Sequence, residues 1–84
     1  MIKIKKKSII ITGCAGFVGS NLLDELLKKG NKIIGIDNLS TGQIRFLTKA
    51  LKNKNFKFIE MDLLNLRKLK KIFKNASFVY HLAA

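Results

Sequence analysis

The chain has 84 residues, a formal net charge of +12 at pH 7 and a single cysteine. This length supports one small domain, and a single cysteine excludes an intramolecular disulfide framework and an all-cysteine metal site. Hydrophobic residues make up 48% of the chain and proline is absent. This composition favours a packed domain rich in helices and strands over a disordered tail.

The excess of basic residues suggests nucleic acid as a partner, because the chain has 17 Lys and Arg residues and only 5 Asp and Glu residues. The lysines are dispersed along the sequence, however, and Arg45 and Arg67 are the only arginines. A compositional bias of the source genome explains the same pattern, and we favour that explanation. A polyanion-binding face is the weaker alternative.

The first residues imitate an export signal, because lysines precede an apolar stretch. The apolar core covers only residues 9–11, whereas a signal sequence needs roughly 7–15 apolar residues. No stretch approaches the ~18 apolar residues of a membrane span. We therefore expect a cytoplasmic protein without a membrane partner.

The first predicted elements are a strand, a glycine turn and a helix. Residues 9–12 form a short apolar run, typical of a strand buried on both faces. Over residues 17–29 the apolar positions recur at helical spacing. Gly13, Gly16 and Gly19 lie where the strand turns into this helix.

The rest of the chain continues this alternation. A strand over 32–37 and a polar loop over 38–42 precede a weaker helix over 43–52. A third strand follows over 56–61, then a helix over 66–73 and a fourth strand over 77–82. Alternating strands and helices predict a parallel sheet with right-handed crossovers. We expect residues 1–84 to be part of one domain, because a complete doubly wound sheet of six strands needs roughly twice this length.

The glycine turn predicts a phosphate site. A helix that starts directly after a buried strand collects backbone N–H groups and the positive end of its dipole at one spot. Gly13 would allow the tight turn, Gly16 the close approach of a pyrophosphate, and Gly19 close packing of helix on strand. Glycines alone are a weak signal, so the other strand ends decide the interpretation.

Asp37 ends the second predicted strand, close to the ~20-residue separation expected of a carboxylate that binds ribose hydroxyls. A carboxylate there would also repel the 2′-phosphate of NADP. The alternative is an Asp that only caps its own loop. We favour the ribose role because the glycine turn precedes it.

Four motifs together resemble the extended short-chain dehydrogenase/reductase family, in its NAD-dependent epimerase/dehydratase group. They are Thr12-Gly13-x-x-Gly16-Phe17-Val18-Gly19-Ser20, Asp37-Asn38-Leu39-Ser40-Thr41-Gly42, Asp62-Leu63 and His81-Leu82-Ala83-Ala84. The second motif is most similar to that of UDP-glucose and UDP-N-acetylglucosamine 4-epimerases. The resemblance implies half of a Rossmann-type doubly wound parallel sheet, with four strands in the order 3-2-1-4, three helices, and NAD as the cofactor.

The resemblance also implies a role for each motif residue. Along the pyrophosphate it places Gly13, Gly16, Phe17 and Val18, with Gly19 in the same turn. Around the adenosine ribose and the adenine edge it places Asp37, Asn38, Ser40, Thr41 and Gly42. It places Asp62 and Leu63 against adenine. Beneath the pyrophosphate and the nicotinamide ribose it places Leu82, Ala83 and Ala84. No catalytic residue and no metal ligand is assigned.

The family's catalytic pair is a tyrosine and a lysine four positions later, whereas Tyr80 is the only tyrosine here and Ala84 stands four positions after it. We therefore expect an N-terminal NAD-binding half, inactive alone, that meets a nucleotide sugar only when a C-terminal half completes it. One alternative is a stand-alone dinucleotide-binding or interaction module that docks on a partner protein. A nucleic-acid-binding domain is less favoured, because aromatic residues are not interleaved with the lysines.

Three further expectations concern single features. The fourth strand should be an open sheet edge, which favours self-association or capture of a partner. Cys14 is either a thiol of lowered pKa at a helix N-terminus or, as we prefer, a tolerated small side chain. His81, the only histidine, is expected to be structural.

Overall fold

The computed structural model describes residues 8–62, 64–74 and 76–82, in which four strands and two α-helices alternate. They are β1 (Ser8–Thr12), α1 (Phe17–Lys28), β2 (Lys32–Asp37), β3 (Phe56–Glu60), α2 (Leu66–Phe73) and β4 (Phe78–His81). The bounds predicted for these elements agree with the observed ones to within one residue.

The four strands form one parallel sheet in the order β3-β2-β1-β4, which confirms the predicted topology. Residue Ile10 of β1 lies between Ile34 of β2 and Val79 of β4. Because β1 has a neighbour on each side and a helical layer on each face, Ile10 and Ile11 are fully buried. This explains why the first strand is a continuous apolar run and not an alternating one.

The core lies on both faces of the sheet. Ile11 and Leu23 belong to the larger cluster, which fills the space beneath α1. Ile10, Met61 and Leu69 belong to a smaller cluster beneath α2. The chain therefore has the layering of a doubly wound sheet, with a well-filled face and a thinly covered one.

The α-helix predicted over 43–52 is wrong. The structure has two 3₁₀ turns there, at Ile44–Leu47 and Ala50–Lys52. Leu47 and Ala50 are buried against the sheet, three positions apart. Leu47 ends the first turn and Ala50 begins the second, and both belong to the core cluster beneath α1. The described part of the chain thus has two α-helices instead of the expected three.

Strand β4 is the open edge that the sequence predicted. Among the described residues it pairs with β1 alone, and all four of its residues are exposed. Val79 and Tyr80 retain 44% and 39% of their accessible surface. Self-association or partner capture through this edge stays a prediction.

Candidate functional site

A cavity of about 390 Å³ opens at the carboxyl edge of the sheet. Parallel α/β sheets bind their ligands at this edge, where the strand order reverses. Here β1 lies at the reversal, between β2 and β4. The lining residues are Gly13, Gly16, Ile36, Asp37, Asn38, Ser40, Thr41, Asp62, Leu64 and Leu82.

The floor of the cavity is the turn between β1 and α1. Gly13 has φ = 75°, a conformation that residues with a Cβ rarely adopt. Its N–H donates to the carbonyl of Ile36 at 2.8 Å, which ties the turn to the end of β2. The Gly16 N–H in turn donates to the Gly13 carbonyl at 3.1 Å and closes the turn.

Gly16 and Gly19 have different physical reasons to lack a side chain. A Cβ on Gly19 would lie 2.2 Å from the Gly13 carbonyl oxygen, so α1 could not pack on the turn. A Cβ on Gly16 would lie 3.4 Å from the same oxygen, an ordinary contact. Gly16 lines the cavity, so the empty space beside it is available to a ligand.

The N-terminus of α1 offers unpaired donors. Its N-cap is Gly16, which has no side chain to accept from the first turn, and that turn holds no acidic residue. The first N–H of the helix with a backbone acceptor is that of Ser20, which donates to the Gly16 carbonyl at 2.9 Å. Within the described part of the chain, the N–H groups of Phe17 and Val18 have no acceptor. Such a terminus binds anions.

The carboxylate of Asp37 joins the glycine turn to the loop that follows β2. Its Oδ2 accepts from the buried N–H of Ala15 at 2.9 Å. Its Oδ1 accepts from the N–H of Leu39 at 2.8 Å. Each carboxylate oxygen can accept more than one hydrogen bond, so Asp37 keeps acceptor capacity for a ligand in the cavity it lines.

The loop itself is folded back onto the turn. The N–H of Gln43 donates to the carbonyl of Ala15 at 2.9 Å. A Cβ on Gly42 would lie 2.9 Å from both the Ala15 Cβ and the Asp37 Oδ2, so only glycine fits there. Leu39 adopts φ = 60°, which brings its N–H to Asp37 while its side chain packs on the core beneath α1.

A second carboxylate, that of Asp62, lies across the cavity at the end of β3. It is exposed, and its Oδ1 accepts from the N–H of Leu64 at 3.0 Å. Asn38 orders its own loop in the same way, accepting from the Ser40 N–H at 3.0 Å. The cavity therefore combines an anion site at the helix N-terminus with acceptors for hydroxyl or amino groups.

Cys14 is a core residue of the turn and not a reactive thiol. Burial, reinforced by the charge of Asp37, raises the pKa of the Cys14 thiol to about 12. Its sulfur fills the space above Gly35, where a Cβ would lie only 2.6 Å away. The lowered-pKa alternative for Cys14 is therefore wrong.

His81 makes a contact within the fold. Its Nδ1 lies 2.7 Å from the hydroxyl of the fully buried Thr12, across the β1–β4 pair. The hydrogen bond ties the end of the edge strand to the strand that leads into the glycine turn.

The structure brings together most of the residues singled out from the sequence. Eight line the cavity, namely Gly13, Gly16, Asp37, Asn38, Ser40, Thr41, Asp62 and Leu82. Four others, Phe17, Val18, Gly19 and Gly42, lie in the same turn and loop without lining it. The remaining three, Leu63, Ala83 and Ala84, lie outside the described residues.

Sequence reasoning missed Ile36 and Leu64 as lining residues and Ala15 as the donor to Asp37. Ile36 precedes Asp37, and Leu64 follows the Asp62-Leu63 motif, so their positions beside motif residues were the available signal. Nothing in the sequence indicates the Ala15–Asp37 hydrogen bond, because it joins residues 22 positions apart.

Neither α-helix of the described part is long and apolar enough to cross a membrane. Within residues 8–62, 64–74 and 76–82, no three His, Cys, Asp or Glu side chains cluster so that they could hold a metal ion.

Comparison with known proteins identifies a family. Residues 9–84 match the NAD dependent epimerase/dehydratase family. The chain is 40% identical over 82 residues to UDP-glucuronate 4-epimerase of Thermodesulfobacterium geofontis, covering 89% of this chain and 25% of that relative. It is also 39% identical to UDP-glucose 4-epimerase of Mycolicibacterium smegmatis, covering 89% of this chain and 24% of that protein.

Solved structures agree in fold. UDP-N-acetylglucosamine 4-epimerase from Methanobrevibacter ruminantium M1, in complex with UDP-N-acetylmuramic acid, superposes with a TM-score of 0.85 at 40% identity, covering 96% of this chain and 25% of that one. The Bordetella bronchiseptica enzyme WbmH in complex with NAD+ gives a TM-score of 0.87 at 30% identity, covering 95% and 27% respectively. The chain thus spans about a quarter of the length of each of these four proteins.

Proposed function

Because the chain belongs to the NAD dependent epimerase/dehydratase family, we propose that its cavity is the NAD site of a nucleotide-sugar epimerase or dehydratase. One observation carries this proposal. A single cavity joins the unpaired N-terminus of α1 to the carboxylate of Asp37, which matches the pyrophosphate and the ribose of an adenosine diphosphate.

Each part of the cavity suits one part of the cofactor. The N–H groups of Phe17 and Val18 would donate to the pyrophosphate, which could approach closely because Gly16 has no side chain. Asp37 would accept from the ribose hydroxyls, and Asp62 from the adenine amino group. Leu82, at the end of β4, would lie beneath the pyrophosphate.

The residues present fit NAD better than NADP. Asp37 is held by two backbone donors, so its charge cannot swing away from the ribose. A 2′-phosphate would meet this carboxylate at hydrogen-bonding distance, and like charges repel there. When bound, NAD would supply the acceptor for a hydride taken from the sugar.

The reaction class and the substrate belong to the same proposal. We assign a UDP-sugar as substrate, because several relatives carry that substrate in their names. The 84-residue chain lacks the Tyr-x-x-x-Lys pair, since Ala84 stands four positions after Tyr80. We therefore expect NAD binding without sugar turnover from these residues alone.

Calorimetric titration with NAD and NADP tests the proposal. The wild-type chain should bind NAD at least about tenfold more tightly than NADP, a difference of ~1.4 kcal/mol. Asp37→Asn should weaken NAD binding, whereas Glu60→Gln, an equal charge change at the exposed end of β3 outside the cavity, should not. Failure of the wild type to bind NAD would contradict the proposal.

A stand-alone module that docks on a partner is the second candidate, and the exposed apolar residues of β4 favour it. The two candidates differ in what the gene encodes. A reading frame that continues into Tyr-x-x-x-Lys supports the first candidate. A separate gene for that half supports the second.

A further inference from the structure

Acidic residues are unevenly distributed along the strand direction in the described part of the chain. All four strands are parallel, so they start at one edge of the sheet and end at the other. Asp37, Glu60 and Asp62 stand at the carboxyl ends of β2 and β3, and Asp37 and Asp62 line the cavity there. The remaining described acids, Asp24 and Glu25, lie within α1.

The opposite edge is basic. Each crossover helix returns the chain to the amino edge, so the residues before β2, β3 and β4 collect there. These segments, 28–32, 52–57 and 71–77, contain no acidic residue. Eight exposed lysines lie in them, and we call the seven other than Lys28 the basic pole: Lys29, Lys32, Lys52, Lys54, Lys57, Lys71 and Lys74.

The lysines of the basic pole are available to a ligand. The one ion pair among the described residues joins Lys28 to Glu25 at 3.3 Å, so none of the seven is neutralised by a carboxylate. Lys32, Lys54 and Lys57 line a groove of about 260 Å³ at the start of β2 and β3. Three of the seven lysines thus line one concave surface, and the other four lie in the segments that precede β2, β3 and β4.

We propose that the basic pole binds the phosphate backbone of double-stranded nucleic acid. The sequence disfavoured nucleic acid because the lysines are dispersed along the chain, but the fold gathers seven of them at one edge. The lack of interleaved aromatic residues argues against single strands, whose bases need stacking platforms. A duplex backbone needs only cations, and lysine supplies them as point charges.

A duplex suits this pole better than a lipid surface. Peripheral membrane helices insert an apolar face beside their basic one. The apolar residues of α2, including Leu69, Ile72 and Phe73, pack on the sheet and cannot insert. The basic pole also lies at the sheet edge opposite the cofactor cavity, so bound duplex should not compete with NAD.

Fluorescence anisotropy with labelled mixed-sequence duplexes, one DNA and one RNA, tests the proposal between about 50 and 200 mM salt. The variant Lys32→Gln/Lys54→Gln/Lys57→Gln should lower the slope of log affinity against log salt by about 2–3. A control, Arg45→Gln/Arg67→Gln/Lys68→Gln, removes equal charge from residues that follow the carboxyl ends of β2 and β3. It should change the slope by less than about 1. Replacing Lys32, Lys54 and Lys57 by arginine should retain duplex binding.

Several results would overturn the proposal: equal losses in both glutamine triples, no binding of either duplex by the wild type at about 50 mM salt, or binding to anionic phospholipid vesicles alone. Far-UV circular dichroism and NAD titration of each triple variant confirm that the fold is intact. These readouts are independent of the duplex, so the NAD proposal and the nucleic-acid proposal can fail separately.

Discussion

The buried N–H of Ala15 donates to Asp37 Oδ2 at 2.9 Å. The carboxylate that we expect to bind the ribose hydroxyls therefore also holds the glycine turn in place. The same group accepts from Leu39 through its other oxygen at 2.8 Å. Asp37 therefore links three segments, namely the turn, the end of β2 and the loop that covers the cavity.

Asp37→Ala should consequently damage the fold as well as the site. It would leave the buried Ala15 N–H without an acceptor, which costs about 1–3 kcal/mol of unfolding free energy. Urea denaturation of the apo protein measures this cost. Asp62→Ala is the matched control, because Asp62 is exposed and accepts only within its own turn. Equal stability of Asp37→Ala and the wild type would contradict a structural role for the carboxylate.

Alanine substitutions at Gly16 and Gly19 should have different effects, one on NAD binding and the other on stability. Gly19→Ala drives a Cβ to within 2.2 Å of the Gly13 carbonyl, and we expect it to lower the unfolding free energy by about 1–3 kcal/mol or more. Gly16→Ala has room for its Cβ against the protein, at 3.4 Å, but places it in the cavity. It should therefore keep the fold and weaken NAD binding.

Thermal melts and NAD titrations of both glycine variants provide the test. A stable Gly19→Ala protein would contradict the close packing of α1 on the turn. Unchanged NAD affinity in Gly16→Ala would show that the pyrophosphate does not lie along the turn.

The thiol of Cys14 should make stability fall at high pH. Its pKa is raised to about 12 in the folded protein, so above its ordinary value of 9.0 only the unfolded chain loses the proton. This contribution is complete below pH 9.0 and is lost as pH rises towards 12. The loss is about 1.4 kcal/mol per pH unit within that window.

The measurement is the difference in unfolding free energy between the wild type and Cys14→Ala, which isolates the contribution of the thiol. Urea denaturation at a series of pH values above 9.0 should show the steeper fall in the wild type. Parallel curves would contradict the buried, neutral thiol. A folded protein that reacts rapidly with iodoacetamide near neutral pH would contradict it as well.

The topology could be predicted from the sequence because the hydrophobic periodicity and the residues at the element ends indicated the same six elements. The apolar run of β1, the glycine turn and the apolar stripe of α1 are local signals, and the structure bears them out. The α-helix predicted over 43–52 was wrong, because the residues that are buried there differ from the apolar face of that helix. Leu47 and Ala50 are buried, whereas Ile44 and Leu51 are each 49% exposed.

The candidate site could be predicted only in part, because some of its contacts join segments that are distant in the sequence. Glycines and strand-terminal carboxylates are local features, so they placed Gly13, Gly16, Asp37 and Asp62 at one edge. The hydrogen bond from Ala15 to Asp37 joins segments that meet only after β1 and β2 have paired. The positive φ of Leu39 has no sequence signal, since leucine rarely adopts it.

Strand β4 should govern the solution behaviour of the 84-residue chain. Its outer edge lacks a strand neighbour in the described part, and Tyr80 on that strand is 39% exposed. Unpaired edges with apolar side chains associate, and a charge on the edge opposes this. We therefore expect concentration-dependent association of the wild type and less of it in Tyr80→Lys.

Sedimentation velocity over a range of protein concentrations measures this association. Ile44→Lys is the matched control, because it adds the same charge to an exposed apolar residue outside the sheet. If both variants reduce association equally, net charge and not the edge is responsible. A wild-type monomer with a cooperative melt that dilution does not alter would rule out association through β4.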